Sequence, residues 1–451
     1  MIRLKDNIKT LFLAFMLVCM VFPAFAQGRP ALNIIRDEEI ESVIREWTSP
    51  IFEAAGLDPK AVNIILVQNN ALNAFVAGGS NIFIYTGLIE ATDNPGELIG
   101  VIAHETGHIS GGHLIKTRDA LERASYESIL GTILGVGAAI ATGDSGAATA
   151  IAAGSNSVAQ RRFLAHSRVQ ESSADQAALT YMQKAKMNPS GLSSFMDKLK
   201  AEIYRPYDQQ SEYVLTHPLV ENRITALNER IEESPYKAQP FPEKWKKQHA
   251  LIKAKLMGFI NPEQVSWTYD LTDRSTAAYY AKTIASYRMN LVEEAIDLAS
   301  NLVKSHPQNP YFHELKGQIL FEFGRVQESV PSYQKAVELL PDSGLIRIAL
   351  AHALIESGSD PQTLRGAIKH LEFAIKDEPR SSRIHRLLAT AYGRLNDDTM
   401  AKLHLAEEAV LQRRYDYAKA TASTILQSEK QGSVIWTRAQ DIISFIDKQK
   451  T

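Results

Sequence analysis

The 451-residue sequence lacks two features that would each assign it to a class of protein. It contains a single cysteine, Cys19, so it cannot form a disulfide framework. It has no run of basic residues, and its formal net charge is -2. Because nucleic-acid binding depends on neutralising phosphates, we expect no nucleic acid among its partners. The length exceeds that of one ordinary core, which predicts two folded domains.

Long apolar runs are also scarce, and the N-terminal one has the pattern of a signal peptide over residues 1–26. Basic residues precede an apolar run over 11–22, and Ala24-Phe25-Ala26 presents small residues at a cleavage position. The apolar run is short for a bilayer span, which disfavours an uncleaved anchor. We therefore predict a mature chain that begins near Gln27 and has lost Cys19.

A second apolar stretch, rich in glycine and alanine, covers residues 129–153. A Gly-Asp-Ser-Gly interruption divides it into halves that are each too short to cross a bilayer. Small residues permit close helix packing, which favours a buried or lid-like helical hairpin. The alternative is contact with a membrane or with a membrane-protein client.

Composition divides the mature chain into two parts. Residues 27–235 mix strand and helix patterns, whereas residues 251–451 have the pattern of successive helices. Prolines and lysines are concentrated between these parts, so we predict a linker over 236–250.

The second part is repetitive. Pro307 and Pro341 lie 34 residues apart, and Gly317, Tyr333 and Ala336 fall between them where a tetratricopeptide repeat needs small and large packing residues. Stacked helix pairs cover one another's apolar faces, so the pattern predicts an all-α solenoid with a concave binding surface. An unrelated helical bundle is the alternative.

The residues from 94 onward have the pattern of a buried helix. Asn94 suits the N-cap, Pro95 the first turn and Glu97 the third position of a capping box. An apolar run follows over 98–103, and the pair of glycines that begins at Gly111 predicts the end of the helix.

Within this helix, the motif His104-Glu105-Thr106-Gly107-His108 predicts a metal site. Histidines four residues apart lie on one helix face, at a spacing that suits two ligands of one zinc ion. Glu105 is offset from that face, so its carboxylate can act on a water molecule as a general base. The alternative is a structural histidine pair, which would need other polar partners when buried.

A catalytic zinc site needs a third protein ligand. His113 is one residue short of the metzincin position, which Leu114 occupies, so we expect His113 to be structural. Glu171 is the better candidate, and Asp175 shares its helix face four residues later. Asp175 could then orient a ligand histidine. On spacing alone, a solvated acidic helix face is an equal alternative.

These segments, together with Thr216-His217-Pro218 and Arg223-Ile224, resemble the gluzincin peptidases of the CAAX-prenyl-protease and HtpX type. The signal and the repeats are similar to those of soluble periplasmic members, and the resemblance covers nearly the whole mature chain. It implies an α+β zincin-like metalloprotease domain over 27–235, mostly helical with a small edge sheet, before the repeat solenoid.

The resemblance also implies a set of site residues. One zinc ion per chain would be held by His104, His108 and Glu171. Glu105 would be the general base, and Asp175 would be an acid that is sometimes given the role of proton donor.

His217 precedes Pro218, which restricts the local backbone. We expect its imidazole to enter the zinc site in one of two ways. It would either donate to the tetrahedral oxyanion or close the fourth coordination position as a reversible latch. The alternative is an ordinary satisfied polar residue.

Residues 73–79 and 81–85 have the pattern of two short strands around a glycine turn. Similar segments in the family form a sheet edge beside the zinc helix, where an extended peptide could add as a strand. We therefore expect Asn73, Phe75, Gly78 and, from the resemblance, Arg223 to contact substrate. An ordinary core hairpin is the alternative.

Two functions follow from the resemblance. The first is a periplasmic quality-control endopeptidase that cleaves unfolded or stalled outer-membrane proteins, with the repeats recruiting these substrates or the outer-membrane assembly machinery. The second is a chaperone or adaptor for outer-membrane protein assembly with a latent zinc site.

Overall fold

The computed structural model describes residues 32–117, 119, 167–203, 205, 211–217, 221–270 and 272–449. The predicted signal peptide and the apolar segment over 129–153 lie outside these residues. Among the described residues, no helix has the length and apolar character needed to cross a bilayer.

A small sheet lies at the start of the first domain. Its strands are β1 (Ile34–Ile35), β2 (Asn63–Val67), β3 (Ala74–Ala77) and β4 (Asn81–Tyr85), in the order β1-β2-β4-β3. Strand β2 runs parallel to β4, and β3 runs antiparallel to β4. Gly78 and Gly79 have φ values of 60° and 95°, so the turn between β3 and β4 uses a conformation that favours glycine. In the strand order given above, β3 lies at one edge of the sheet.

Helices make up most of the first domain. They are α1 (Glu38–Ala54), α2 (Thr86–Ala91), α3 (Pro95–Ser110), α4 (167–184), α5 (Ser190–Ile203), α6 (Glu212–Thr216) and α7 (Glu221–Glu233), and residues 113–117 are also helical. Helix α3 is buried along most of its length, and its apolar residues belong to the same core as Trp47 and Phe52. The helix that carries the motif is thus a central element of this domain.

The predicted linker is only partly an irregular connection. Helix α8 (Glu243–Ile260) occupies the second half of the 236–250 segment and continues beyond it. Its Ile252 and Leu256 join the core of the first domain, whereas Ala254 packs against the helices that follow. Three of the four lysines that suggested a linker, Lys244, Lys246 and Lys247, lie in the first turns of α8 and are exposed. Their charge marks a solvated helix face rather than a flexible segment.

The second domain consists of paired helices, after short helical turns at Pro262–Gln264 and Val265–Thr268. The helices are α9 (Thr276–Arg288), α10 (Val292–Ser305), α11 (Pro310–Glu322), α12 (Val326–Leu339), α13 (Gly344–Ser357), α14 (Pro361–Asp377), α15 (Ser382–Arg394), α16 (Asp398–Leu411), α17 (Tyr415–Ser428) and α18 (Val434–Gln449). A Cβ at Gly317 would lie 2.9 Å from the Tyr333 ring, so the predicted small and large packing positions do meet. The predicted fold class, an α+β domain followed by an all-α repeat domain, is confirmed.

Buried polar contacts join α1 to the helical repeats. Glu39 accepts a hydrogen bond from the Tyr280 hydroxyl at 2.7 Å, and Glu38 accepts one from Ser343 at 2.6 Å. Lys255 of α8 lies 2.7 Å from Asp37 and 3.2 Å from Glu39. The Lys255 side chain is buried, and its pKa lies well above the usual value because the neighbouring carboxylates outweigh the effect of burial. Lys255 is therefore the cation that balances the acidic start of α1.

Replacing Lys255 by alanine should destabilise the protein by about 3 kcal/mol, because it leaves buried carboxylates without their cation. The free energy of unfolding, measured in urea by circular dichroism, checks this. Lys246 is a matched control on the same helix, since it forms an exposed ion pair with Glu243. Its replacement should cost about 1 kcal/mol or less. Equal losses in the two variants would contradict the role of Lys255.

Candidate metal centre

The helix that carries the motif begins as its sequence predicts. The Asn94 side chain accepts a hydrogen bond from the Glu97 backbone N–H at 3.2 Å, and the Glu97 carboxylate accepts one from the Asp93 N–H at 2.9 Å. Pro95 occupies the first turn, and the helix ends at Ser110 before Gly111. These caps fix the start of the helix and hence the rotation of the motif about its axis.

Helix α4 approaches α3 at a glycine of the motif. A Cβ on Gly107 would lie 2.8 Å from the Ala174 carbonyl oxygen and 2.9 Å from its Cα. Since real Cβ atoms are not found so close to backbone atoms, only glycine permits this approach. Ala174 lies between Glu171 and Asp175, so the contact brings both carboxylates to the motif.

Four side chains converge where α3, α4 and the end of α6 meet. Potential ligand atoms of His104, His108, Glu171 and His217 all lie within 4.8 Å of one another. The two Nε2 atoms of His104 and His108 are 3.1 Å apart, and they lie 3.3 Å and 3.4 Å from the Glu171 oxygens. Nδ1 of His217 lies 3.4 Å from Nε2 of His104 and 3.2 Å from both Glu171 oxygens.

Asp175 and Arg223 contact members of this group. Oδ1 of Asp175 lies 2.9 Å from Nδ1 of His104, so the carboxylate orients the imidazole with Nε2 toward Glu171. Arg223 donates to both Asp175 oxygens, at 2.8 Å and 2.9 Å, and its third nitrogen lies 3.2 Å from Glu171. All three side chains are buried. Arg223, which we expected to contact substrate, thus lies against the two carboxylates.

The buried carboxylates of the cluster favour a positive charge on the groups next to them. Burial lowers the pKa of His108 to about 2, and the charge of His104 adds to this effect. Burial alone would lower the pKa of His104, but hydrogen bonds with Asp175 and Glu171 outweigh it and raise this pKa to about 10. Burial also opposes ionisation of Glu171, yet hydrogen bonds with His104 and His217 hold its pKa below the usual range. The carboxylates thus retain a cation among them.

The donor set fits a zinc ion. Ligand atoms around a tetrahedral zinc, with bonds of roughly 2.1 Å, lie roughly 3.4 Å apart. The separations among His104, His108 and Glu171 are close to that value. Two buried atoms nearby, Oε1 of Glu105 and Nε2 of His217, have no hydrogen-bond partner and lie 3.4 Å from each other. Such atoms are costly to bury unless a further group, such as a ligand or water, satisfies them.

Two residues near the cluster show what sequence patterns can and cannot find. Nδ1 of His113 lies 3.1 Å from Nδ1 of His108, outside the group of four converging ligand atoms. Tyr213 is fully buried, and its ring lies 4.6 Å from that of His217. Its hydroxyl has no hydrogen-bond partner. Nothing in the sequence pattern singled out Tyr213, because only the fold brings it to the site.

The edge strand β3 lies beside the motif. Burial raises the pKa of the Glu105 carboxyl, and the nearby backbone N–H of Val76 in β3 partly offsets this effect. The Asn73 carbonyl accepts from the Tyr85 N–H at 3.0 Å, so the alternation along an antiparallel strand turns the N–H of Val76 toward the outer edge. Phe75 stacks on Phe83 of β4, with ring centres 4.9 Å apart.

The segment before β3 is tied to α6. Asn73 is buried, and its side chain donates to Glu212 at 3.0 Å. The Leu72 carbonyl accepts from the Tyr213 N–H at 3.1 Å. Since His217 caps α6, one short helix connects the edge strand with the converging ligands.

Replacing Gly107 by alanine should separate α4 from α3 and remove Glu171 from the two histidines. We expect zinc retained by the purified protein, measured by mass spectrometry, to fall at least tenfold, because each missing ligand weakens the site. Gly366 is a matched control, since it is helical and a Cβ there would meet no atom within 4 Å. Its replacement should leave zinc content unchanged, and full zinc content in the Gly107 variant would contradict the packing argument.

Comparisons with known proteins agree with this arrangement. Residues 35–231 match the model of peptidase family M48, and residues 249–438 match a tetratricopeptide repeat model. The beta-barrel assembly-enhancing protease of Escherichia coli strain K12 is 23% identical over 471 residues, covering 96% of this chain and 94% of that protein. Its Yersinia pestis namesake is 25% identical over 386 residues, covering 83% and 77%.

The crystal structure of YrrB, a TPR protein with an unusual peptide-binding site, is 17% identical and covers 44% of this chain and 97% of that one, with a TM-score of 0.32. The two family matches coincide with the two parts of the fold, and the metal cluster lies in the first. The chain therefore carries a peptidase family M48 domain, a domain of a metalloprotease family, followed by tetratricopeptide repeats.

Proposed function

We propose that this protein is a zinc-dependent endopeptidase of the periplasm that cleaves unfolded or stalled outer-membrane proteins. One observation carries the proposal: the ligand atoms of His104, His108 and Glu171 converge next to the buried carboxylate of Glu105. The shared name of the relatives, beta-barrel assembly-enhancing protease, supports the class of substrate.

The side chains have distinct roles in this proposal. His104, His108 and Glu171 hold the ion, which when bound supplies Lewis-acid polarisation of water and of a peptide carbonyl. Glu105 takes the proton from the attacking water and delivers it to the leaving amine. Burial raises the pKa of Glu105, which suits a group that both accepts and returns a proton. Asp175 keeps the His104 ring in the ligand orientation.

Strand β3 offers the substrate a place to bind. Its outer edge faces away from β4, and the N–H of Val76 on that edge lies near enough to Glu105 to lower the pKa of its carboxyl slightly, against the larger effect of burial. An extended peptide that pairs with this edge would bring a main-chain carbonyl close to Glu105. Main-chain pairing tolerates many sequences, as binding of unfolded β-strands requires. In this proposal Phe75 and Gly78 line that edge.

His217 acts as a latch on the resting site. Its Nδ1 lies at 3.2–3.4 Å from Glu171 and His104, which are separations like those among the proposed ligands. That placement favours closure of the fourth coordination position over donation to an oxyanion. Cleavage then requires that His217 move away.

A second candidate function is that of a chaperone or adaptor for outer-membrane protein assembly with a latent metal site. The position of His217 favours this candidate too, because a closed site would be inactive. The repeats, which we propose bind substrates or the assembly machinery, would then carry the function. A variant without catalytic activity separates the two candidates, because only the endopeptidase requires cleavage for its function.

Replacing Glu105 by glutamine should lower the rate of casein cleavage at least roughly 100-fold, since it removes the general base. Zinc content should stay at the wild-type value, whereas a Glu171→Ala control should lose zinc. The same Glu105 variant should also fail to restore outer-membrane assembly in cells that lack the protein. Full restoration without cleavage would instead support the chaperone.

Replacing His217 by alanine should raise casein cleavage by about tenfold, if the closed state outnumbers the open state by about ten to one. Zinc content should be unchanged. Thr216→Ala is a control, because Thr216 is exposed and bonds only to backbone carbonyls of its own helix. A fall in activity would favour the oxyanion role, and no change would contradict both roles.

A further inference from the structure

A second group of converging ligand atoms lies in the repeat domain, on α15 and α16. Nδ1 of His385 and Nδ1 of His404 are 3.2 Å apart. Oε2 of Glu407 lies 3.0 Å from the first nitrogen and 2.9 Å from the second. These separations resemble those of the metal centre in the peptidase domain, although no residue is shared.

Hydrogen bonding within the group does not satisfy its members. At most one proton can lie between the two facing Nδ1 atoms. Oε2 of Glu407 is buried and has no hydrogen bond, although both nitrogens are close to it. A buried carboxylate oxygen without a partner is costly. A single cation between the three atoms would satisfy all of them.

Neighbouring side chains hold two of the three groups in place. Arg438 of α18 donates to Oε1 of Glu407 at 2.6 Å and 3.0 Å, which turns Oε2 toward the histidines. The Tyr392 ring stacks on that of His404, with ring centres 5.6 Å apart and planes 15° apart. Fixed orientation of ligands by surrounding groups is a property of metal sites.

A pocket gives an ion access to this group. It has a volume of about 380 Å³, and its polar lining residues are His385, Glu407, Arg438 and Asp441. Apolar residues, including Leu411 and Phe445, line the remainder. The ion could therefore enter from solvent and keep open coordination positions.

We propose that His385, His404 and Glu407 form a second metal site, for a divalent transition-metal ion such as zinc. Imidazole nitrogens favour such ions over magnesium, which prefers oxygen ligands. Because the ligands come from both helices of one pair, the bound ion fixes α15 to α16. The site is independent of the peptidase centre and of the function proposed for it.

Metal stoichiometry tests this proposal on the full mature chain. After dialysis against buffered zinc, the wild-type protein should hold two zinc equivalents. His385→Ala and Glu171→Ala should each hold one, from opposite sites. His370→Ala is a matched control on α14 and should hold two. Equal zinc content in the His385 variant and the wild type would overturn the proposal, whatever the content of the peptidase centre.

Hydrogen exchange gives a second test that does not depend on the folding of a His385 variant. In the Glu171→Ala chain, zinc at ten times the dissociation constant should slow amide exchange in 382–411 by roughly tenfold. The same concentration of magnesium should have no effect. Unchanged exchange with zinc in this segment would overturn the proposal, whatever becomes of the peptidase centre.

Discussion

The close contact between α3 and α4 at Gly107 is the constraint on which the metal centre depends. It allows the backbone of Ala174 to lie against the motif helix, at a distance that any side chain at position 107 would prevent. Glu171 and Asp175 then reach opposite nitrogens of His104. Gly107, which has no side chain, therefore determines which side chains lie close enough together to share an ion.

Several buried or partly buried carboxylates in this protein are matched by a fixed cation. Lys255 balances the start of α1, Arg223 holds Asp175, and Arg438 holds Glu407. Burying a carboxylate is expensive unless a cation and hydrogen bonds compensate for lost hydration. At the first histidine cluster, Arg223 binds both oxygens of Asp175 but lies near only one oxygen of Glu171. At the second cluster, Arg438 binds only one oxygen of Glu407. The remaining oxygens face imidazoles, as the two proposed metal sites require.

Local signals allowed the most reliable predictions from the sequence. Asn94, Pro95 and Glu97 act within one helical turn, and the repeat period reflects packing between helices that are adjacent in the chain. Both could therefore be read without a structure. Spacing placed Glu171 and Asp175 on one helix face, but only the contact at Gly107 distinguishes a buried ligand pair from a solvated acidic face.

Features that depend on distant parts of the chain were missed or misjudged. The lysine-rich start of α8 has the composition of a linker, and its helical structure depends on burial of Ile252 and Leu256 in another domain's core. The contacts of Arg223 with Asp175, and of Arg438 with Glu407, join residues with no sequence relationship. Arg223 was found only through resemblance, which does not reveal what its guanidinium contacts.

Helix α6 gives the proposed latch a physical connection to the proposed substrate edge. Its N-terminal residues bond to the segment before β3, through Glu212 to Asn73 and through Tyr213 to Leu72. Its C-terminal cap is His217, which lies among the proposed metal ligands. The helix has only five residues, so we expect a displacement at the strand to reach the imidazole. Pairing of a peptide with β3 and removal of His217 can therefore be one event, which would confine cleavage to substrates that bind in an extended form.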